Sequence, residues 1–310
     1  MLSPRISVCI NTRNRTAQLK KCLGSIHQSV FHSFEIIIID QSDAYLWNEH
    51  ASLARRFDAL YFPIPPKGVG VAKNMAIKKS SGKIVAFTDD DCIVDSHWLD
   101  EIWQTFQRHP NVSAVFGKTL PYQSSRHKYE ICPCTFTHKL PARISQPGVH
   151  YKTIGFGNNM AFRSSVFTSI GMFKPWLGPG SIGKNAEDAE FALRLLLSGK
   201  QIFYTPTARV FHAKWLTAKE MRVQELAYSC GEMACYGYFY FSGHAFAIPI
   251  IRANIRSSVD SIKNVLKRLL LLRWNDALIE DFLYTITKMA YRLWGALIGY
   301  LYARIDPLLQ

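Results

Sequence analysis

The first 120 residues alternate short apolar runs with segments whose apolar side chains recur at helical spacing. Continuous apolar runs predict strands buried on both faces, as in a parallel sheet covered by helices. These runs lie at residues 6–10, 35–40, 59–62, 83–88 and 112–117. Three predicted helices separate these runs: one is capped by Thr16, one begins near Val71, and one follows Ser96. The βαβα order predicts an α/β fold with an open, mostly parallel, Rossmann-like sheet flanked by helices.

Polar side chains follow three of these strands where each strand ends. NTRNR, residues 11–15, follows the first strand, Asp40 ends the second, and Asp89, Asp90 and Asp91 end the fourth. Three adjacent carboxylates are either a solvated turn or a place where positive charge binds. Ligands of open α/β sheets bind beyond the carboxyl ends of the strands, so the convergence favours one binding crevice.

A glycine loop precedes the helix near Val71. Gly68 and Gly70 do not follow the G-x-G-x-x-G spacing and no G-K-[ST] follows, which disfavours a dinucleotide site and a P-loop. Lys73, expected in the first turn of the helix, could face a diphosphate. A loop that only needs glycine flexibility fits the same pattern.

Residues 183–200, GKNAEDAEFALRLLLSGK, predict a helix with Asp188 in its first turn and Gly199 after its end. A carboxylate in a first turn often only complements the helix dipole. Asp188 could therefore be structural, or it could take a proton from an acceptor.

Composition narrows the class of protein. The 310 residues are 48% hydrophobic and 19% charged, as in a folded globular protein, and the net charge of +14 favours an anionic partner. Aromatic signatures of RNA-reading domains are missing from the sequence, so no nucleic-acid partner is expected. Seven irregularly spaced cysteines and the lack of a secretory pattern near the N-terminus predict a cytoplasmic protein. The cluster at 132–138, CPCTFTH, lacks a second ligand pair at zinc spacing.

The tail from residue 213 is expected to be helical. It places basic residues around one apolar helical face, with Asp260 among them: Arg252, Arg256, Lys263, Lys267, Arg268 and Arg273 are basic, and Ile262, Val265, Leu266, Leu269 and Leu270 are apolar. Two interpretations stay open, namely peripheral contact with an anionic membrane on its cytoplasmic face, and packing on the catalytic domain. Residues 282–303 are long enough to span a bilayer, but Lys288 and Arg292 argue for interfacial association or burial against 220–245.

Five segments, in chain order, resemble the family-two glycosyltransferases, which have the GT-A fold. They are SVCINTRNR, EIIIIDQS, GVGVAKNMAIKKSSGKIVAFTDDDC, GNNMAFRSSVFTSIGMF and EDAEFALRLLLSGKQIFYTPTARVFH. The resemblance covers roughly residues 5–212. It implies a GT-A catalytic domain at 1–212, with a nucleotide-sugar half (1–120) and an acceptor half (121–212), followed by a helical, basic amphipathic extension at 213–310.

The resemblance also implies individual roles. Thr12 and Asp40 would contact the donor base, Asp89 would lie near the ribose, Asp91 would ligate Mg²⁺ or Mn²⁺ on the diphosphate, and Asp188 would be the general base. Further implied positions are Asn14, Lys73, Asn74 and Asp90 for the donor, Asn158, Asn159 and Glu187 on the acceptor side, and Asp89 and His212 at the metal. His212 could instead be a stacked core histidine.

The activity implied is inverting, metal-assisted transfer of a sugar from a nucleoside-diphosphate sugar to a hydroxyl, in polysaccharide or glycoconjugate synthesis. The acceptor would be a saccharide, a lipid-linked glycan or a protein. Departures from the family pattern at Asn11, Gln41, Ser42, Lys73 and Cys92 leave the donor base and sugar open. A metal-dependent nucleotidyltransferase and a non-catalytic, membrane-associated sugar-nucleotide binding protein are the alternatives.

Overall fold

The computed structural model describes residues 3–123, 129–270 and 276–306. The chain forms two compact units. The first comprises Met1–Pro175 with Asp188–Thr217, and the second comprises Trp176–Glu187 with Ala218–Gln310. The sequence placed the start of the extension at residue 213; here the short segment before Asp188 groups with the C-terminal helices as well.

The first 217 residues hold all the strands that the structure describes. The strands are β1 Ile6–Thr12, β2 Phe34–Asp40, β3 Ala59–Pro63, β4 Ile84–Asp89, β5 Cys92–Val94, β6 Val112–Pro121, β7 Ala142–Ile144, β8 Met160–Arg163 and β9 Gln201–His212. The helices are α1 Thr16–His27, α2 Trp47–Arg56, α3 Val69–Lys79, α4 Trp98–Arg108, α5 Ser165–Ser169 and α6 Glu187–Leu197.

The strands form one sheet in the order β3-β2-β1-β4-β8-β6-β9-β5, with β7 paired to β9. β3, β2, β1 and β4 run parallel, which brings Thr12, Asp40 and Asp89 to one edge. β8 is antiparallel to both β4 and β6. The predicted open α/β sheet is confirmed, although its second half is mixed.

Apolar side chains cover both faces of the sheet. In β2, Ile36 and Ile38 join the core on one face, whereas Ile37 and Ile39 join the core on the other. This two-sided burial explains the unbroken isoleucine run, since alternate strand residues point to opposite faces.

Helix α1 begins one residue earlier than a cap at Thr16 would require. Thr16 is the first helical residue and Arg15 occupies the N-cap position without a capping side-chain bond. Thr16 Oγ1 instead lies 2.7 Å from His50 Nε2. The predicted capping role of Thr16 is therefore wrong, because the hydroxyl is committed to a tertiary contact.

The second unit contains α7 Ala218–Phe241, α8 Ile248–Leu270 and α9 Asp276–Ile305. Glycines let α9 pack closely on α7. A Cβ added to Gly295 would lie 2.2 Å from Cys230 O, and one added to Gly299 would lie 2.6 Å from Ala234 O. Within the described residues, no helix combines the length and the apolar character needed to cross a bilayer.

Candidate active site

The three aspartates of β4 and its following turn have different surroundings. Asp89 ends β4 and is partly exposed, whereas Asp90 and Asp91 are 3% and 8% exposed. Thr12 Oγ1, at the end of β1, donates a hydrogen bond of 2.8 Å to Asp90 Oδ2. The hydroxyl of Thr12 fixes the aspartate turn in this structure, and its implied contact with the donor base stays a prediction.

Arg15 links two of these carboxylates. Its Nη1 donates to Asp90 Oδ1 at 2.9 Å and to Asp91 Oδ2 at 3.0 Å. The Arg15 side chain is 40% exposed, so its charge is screened by solvent and it can exchange partners. Arg15 lies within the NTRNR segment, but the sequence analysis predicted no role for it. A basic side chain three residues after a strand end was its only signal.

His212 approaches Asp91 from the neighbouring strand. It ends β9 and pairs with Cys92 across the β5–β9 ladder. Its Nδ1 lies 2.8 Å from Pro133 O, and its Nε2 lies 3.3 Å from Asp91 Oδ1. Because Nδ1 donates to a carbonyl, Nε2 is the nitrogen that faces the aspartate. The structure thus brings together the two predicted metal ligands Asp91 and His212.

Charge sets the protonation of this pair. Burial alone would lower the pKa of His212, but the carboxylate of Asp91 beside Nε2 raises it to about 10. Burial would raise the pKa of Asp91, yet His212, Arg15 and Lys214 together lower it. Without a cation, the pair is therefore an imidazolium facing a carboxylate.

The residues fit a divalent cation. Asp91 Oδ1 is buried and accepts no well-formed hydrogen bond within the described part of the chain. It stands opposite a histidine nitrogen whose other ring atom is already bonded, which is the usual arrangement of a metal-bound histidine. Cys92 is close enough to join them. Burial raises the pKa of the Cys92 thiol well above its usual value, so it stays protonated and is a poor ligand.

Lys73 lies between Asp89 and the acceptor-side block. Burial and the charge of Asp91 raise the pKa of Asp89 to about 6, and the positive charge of Lys73 opposes this rise. The Lys73 side chain is 2% exposed, and its Nζ lies 5.9 Å and 5.3 Å from the ring centroids of Phe87 and Phe173. Because α3 begins at Val69, Lys73 belongs to the second turn rather than the predicted first turn.

Asp188 lies in the first turn of α6, as predicted, and is partly exposed. Gly157 N donates to Asp188 Oδ2 at 2.6 Å, and Ala189 N donates to Oδ1 at 2.8 Å. A Cβ added to Gly157 would lie 2.9 Å from Asp188 Oδ2 and 3.2 Å from Lys73 Nζ. Lys73 and Asp188 therefore converge on the same glycine, and the backbone holds the carboxylate in one orientation.

Asp40 is fully buried and has partners on both oxygens. Ser42 N donates to Oδ1 at 2.7 Å, and Tyr61 OH donates to Oδ2 at 2.6 Å. His50 Nδ1 lies 2.7 Å from the same Oδ2, while its Nε2 contacts Thr16. This network does not support the expected base contact of Asp40. It instead fixes the loop after β2, which leaves the exposed Asn14 and Asp43 as polar side chains at this edge.

The predicted asparagines mostly brace the backbone. Asn74 exchanges two hydrogen bonds with the backbone of Phe173, and Asn14 exchanges two with Asp43. Asn159 accepts from Trp98 and donates to Lys118 O and Ala208 O, while Asn158 accepts from Thr119 and donates to Cys134 O. Asn158 and Asn159 are 2% and 1% exposed, so the expected acceptor contact is not supported for either amide.

Glu187 and Gln41 each lie beside the backbone of a glycine. Glu187 is 5% exposed, and its Oε2 lies 2.9 Å from the position of a Cβ added to Gly178. Gln41 braces the glycine loop: its Oε1 accepts from Lys67 N and Gly68 N, and its Nε2 donates to Gly68 O. Gly68 has a φ of 92°, which favours glycine at the N-cap of α3.

Comparison with known proteins agrees with this geometry. The profile described as glycosyl transferase family 2 matches residues 7–171, more than half of the chain. The chain is 22% identical over 213 residues to the glucosyl-dolichyl phosphate glucuronosyltransferase of Haloferax volcanii, covering 67% of this chain and 68% of that protein.

Two solved structures are similar across nearly the whole chain. TarS 1–349 of S. aureus has a TM-score of 0.59 at 14% identity, covering 97% of this chain and 91% of that one. The mannosyltransferase PcManGT of Pyrobaculum calidifontis, solved with GDP-Man and Mn²⁺, has a TM-score of 0.57 at 15% identity, covering 98% and 89%. The fold is the GT-A fold of glycosyltransferases. The chain belongs to glycosyl transferase family 2 and is a glycosyltransferase.

Arg15 should compete with a cation for the aspartate turn. Replacing Arg15 by Met should tighten Mn²⁺ binding to the nucleotide-free protein about thirtyfold, since a double and a single positive charge 4 Å apart repel by ~2 kcal/mol in water. Isothermal titration with Mn²⁺ measures this. Arg13→Met, which removes an exposed arginine two positions earlier, should change the affinity by less than about twofold. Unchanged or weaker binding in Arg15→Met would show that the guanidinium does not occupy the place of a cation.

Proposed function

We propose that this chain transfers a glycosyl group from a nucleoside-diphosphate sugar to a hydroxyl of a glycoconjugate or polysaccharide acceptor, with inversion at the anomeric carbon. The observation that carries the proposal is the position of Lys73, between the aspartate turn and Asp188. A buried cation there stands next to both the proposed donor diphosphate site and the proposed base.

Asp91 Oδ1 and His212 Nε2 would hold Mg²⁺ or Mn²⁺ at the donor diphosphate. When bound, the cation would neutralise the negative charge that develops on the leaving nucleoside diphosphate. Mn²⁺ in the PcManGT structure supports this choice of cation. Arg15 would release Asp91 in this state, and its exposed guanidinium is then available to the diphosphate.

Asp188 would remove the proton from the acceptor hydroxyl. Both of its oxygens accept backbone hydrogen bonds, so the carboxylate is oriented before the acceptor arrives. Lys73, held between two aromatic rings, would add positive charge to the diphosphate side. A single base and one in-line displacement give inversion. No second nucleophile is needed.

The acceptor class is inferred from a relative of this chain. The Haloferax volcanii relative is named for action on a glucosyl-dolichyl phosphate, which is a lipid-linked saccharide. We infer a saccharide acceptor from this name and from the family.

A donor screen by thermal unfolding tests the proposal. UDP-, GDP-, CMP- and dTDP-sugars are each added with Mn²⁺ and with EDTA, and the cognate donor at 100 times its dissociation constant should stabilise the fold by ~2.7 kcal/mol. Stabilisation should require Mn²⁺. With the cognate donor and saccharide acceptors, the released product should be a nucleoside diphosphate. Release of pyrophosphate would indicate a nucleotidyltransferase, and binding without turnover would indicate a non-catalytic binding protein.

A further inference from the structure

Helix α9 exposes an apolar face along most of its length. Residues at spacings of three, four and seven share this face: Ile279, Leu283, Ile286, Leu293, Leu297 and Tyr300. Leu293 is 69% exposed and Leu297 is 45% exposed. At 1.5 Å per residue, the stretch from Ile279 to Tyr300 is roughly 30 Å long. An apolar face of this size on a folded unit indicates a binding surface.

Lys288 and Arg292, the two basic residues within this stretch of α9, are turned away from the apolar face. Lys288 Nζ binds Glu225 Oε2 on α7 at 3.2 Å, and Arg292 Nη1 donates to Asn254 O on α8 at 2.8 Å. Gly295 and Gly299 face α7 on the opposite side of the helix. The two cations that interrupt the apolar run in the sequence therefore face α7 and α8 rather than the exposed apolar face.

Helix α8 carries a basic outer face. Arg252, Arg256, Lys263 and Lys267 are exposed at spacings of four and seven residues, opposite the buried Asn254 and Val265. Asp260 is the one acidic residue within this stretch of α8. Arg268 is compensated, since it pairs with Asp281 at 2.7 Å. The outer face of α8 therefore presents uncompensated positive charge.

The width of the α9 face argues against a coiled-coil partner. A coiled-coil seam is narrow and is bordered by charged residues. Here the stripe is bordered by Phe282, Trp294 and Leu301, which are 39%, 45% and 47% exposed. A broad apolar stripe with tryptophan and tyrosine, beside a basic helix, matches the chemistry of a bilayer surface rich in anionic lipid.

We propose that α8 and α9 dock the protein on the surface of an anionic lipid bilayer. The α9 face enters the boundary between headgroups and acyl chains, and the basic side chains of α8 bind the lipid phosphates. The two contributions are separable, because burial of apolar side chains is insensitive to salt whereas contacts with lipid phosphates weaken as salt rises. This inference is independent of the donor and metal assignments.

Vesicle flotation of the full chain tests the proposal. Phosphatidylcholine vesicles are compared with vesicles that contain about 30% phosphatidylglycerol, at about 50 mM salt and at high salt. The protein should float with the anionic vesicles at low salt. Leu293→Glu with Leu297→Glu should lower the partition coefficient at least about tenfold, because two charges would have to enter the apolar boundary. Arg252, Arg256, Lys263 and Lys267, all changed to Gln, should lower it at least about tenfold on anionic vesicles only.

Two control variants match these changes on the first unit. Val30→Glu with Leu60→Glu places two charges on exposed apolar positions, and Lys20, Lys21, Arg55 and Arg56, all changed to Gln, remove the same positive charge. Both should float like the unaltered protein, and circular dichroism should show every variant folded. Failure of the unaltered protein to float, or flotation unchanged by Leu293→Glu with Leu297→Glu, would overturn the proposal. A dimer in sedimentation that this double variant dissociates, without vesicle binding, would assign the face to a second copy.

Discussion

Asp188→Asn should lower the turnover rate by a factor on the order of 10² to 10⁴ while donor affinity stays near its original value. Asparagine keeps the shape of the side chain and still offers an oxygen to Gly157 N. It cannot take a proton. Because Asp188 belongs to α6 rather than to the aspartate turn, Mn²⁺-dependent binding of the nucleoside diphosphate should persist. Isothermal titration and a nucleoside diphosphate release assay give the two quantities.

Asp100→Asn is the matched control for the helix-dipole explanation of Asp188. Asp100 also lies in the first turn of a helix, α4, so its replacement removes the same interaction between a carboxylate and a helix N-terminus. Turnover of Asp100→Asn should stay near that of the unaltered protein. If folded Asp188→Asn keeps nearly full turnover, Asp188 is not the base. Glu187 and Glu190, in the same turn of α6, are then the carboxylates to replace.

Asp91→Ala should abolish transfer and Mn²⁺-dependent binding of the nucleoside diphosphate together. Both depend on one cation that Asp91 Oδ1 and His212 Nε2 would hold. The variant removes one partner of Arg15 but leaves its bond to Asp90 Oδ1, so nucleotide binding in EDTA should stay as weak as in the unaltered protein. Titration of the nucleoside diphosphate with Mn²⁺ and with EDTA separates these effects.

Asp100→Ala serves as the control, because it removes a carboxylate that lies outside the aspartate turn, in the first turn of α4. It should leave both the titration with Mn²⁺ and the turnover rate unchanged. If Asp91→Ala retains metal-dependent binding, Asp89 is the carboxylate that binds the metal, and the implied role of Asp91 in the DDD segment is wrong. Because the Asp91 side chain is buried, its replacement could disrupt the fold, and a thermal scan checks that Asp91→Ala still unfolds cooperatively.

The strand ends were predictable from the sequence because they follow from periodicity. The isoleucine run of β2 needs burial on both faces, and parallel strands bring their carboxyl ends to one edge. The first-turn position of Asp188 likewise follows from the glycines that flank its helix and the apolar stripe behind it. Local pattern therefore predicted where the polar residues gather.

The partners of those residues were not predictable, because they come from distant parts of the chain. Arg15 reaches an aspartate 75 residues away, and His212 lies beside Cys132, 80 residues earlier. The sequence predicted a base contact for Asp40, but in the structure Tyr61 and His50 both contact one of its carboxylate oxygens. A sequence reveals that a carboxylate ends a strand, but not which donors reach it.

The same limit applies to the helices of the second unit. The sequence showed that Lys288 and Arg292 interrupt an apolar segment, and it predicted burial against 220–245 or interfacial association. The structure shows α9 packed on α7 through its glycines, with both cations directed to α7 and α8 and a separate apolar face exposed. Helical periodicity distributes residues around an axis, but only packing decides which side becomes interior.

The most direct test of the central claim is the position of Mn²⁺ in crystals grown with the cognate nucleoside diphosphate, located by anomalous scattering. The account predicts one strong peak within about 2.5 Å of an Asp91 carboxylate oxygen and of His212 Nε2, with diphosphate oxygens completing its coordination and Arg15 released from Asp91. A peak that is absent, or that lies at other residues while Arg15 still bridges Asp90 and Asp91, would contradict it.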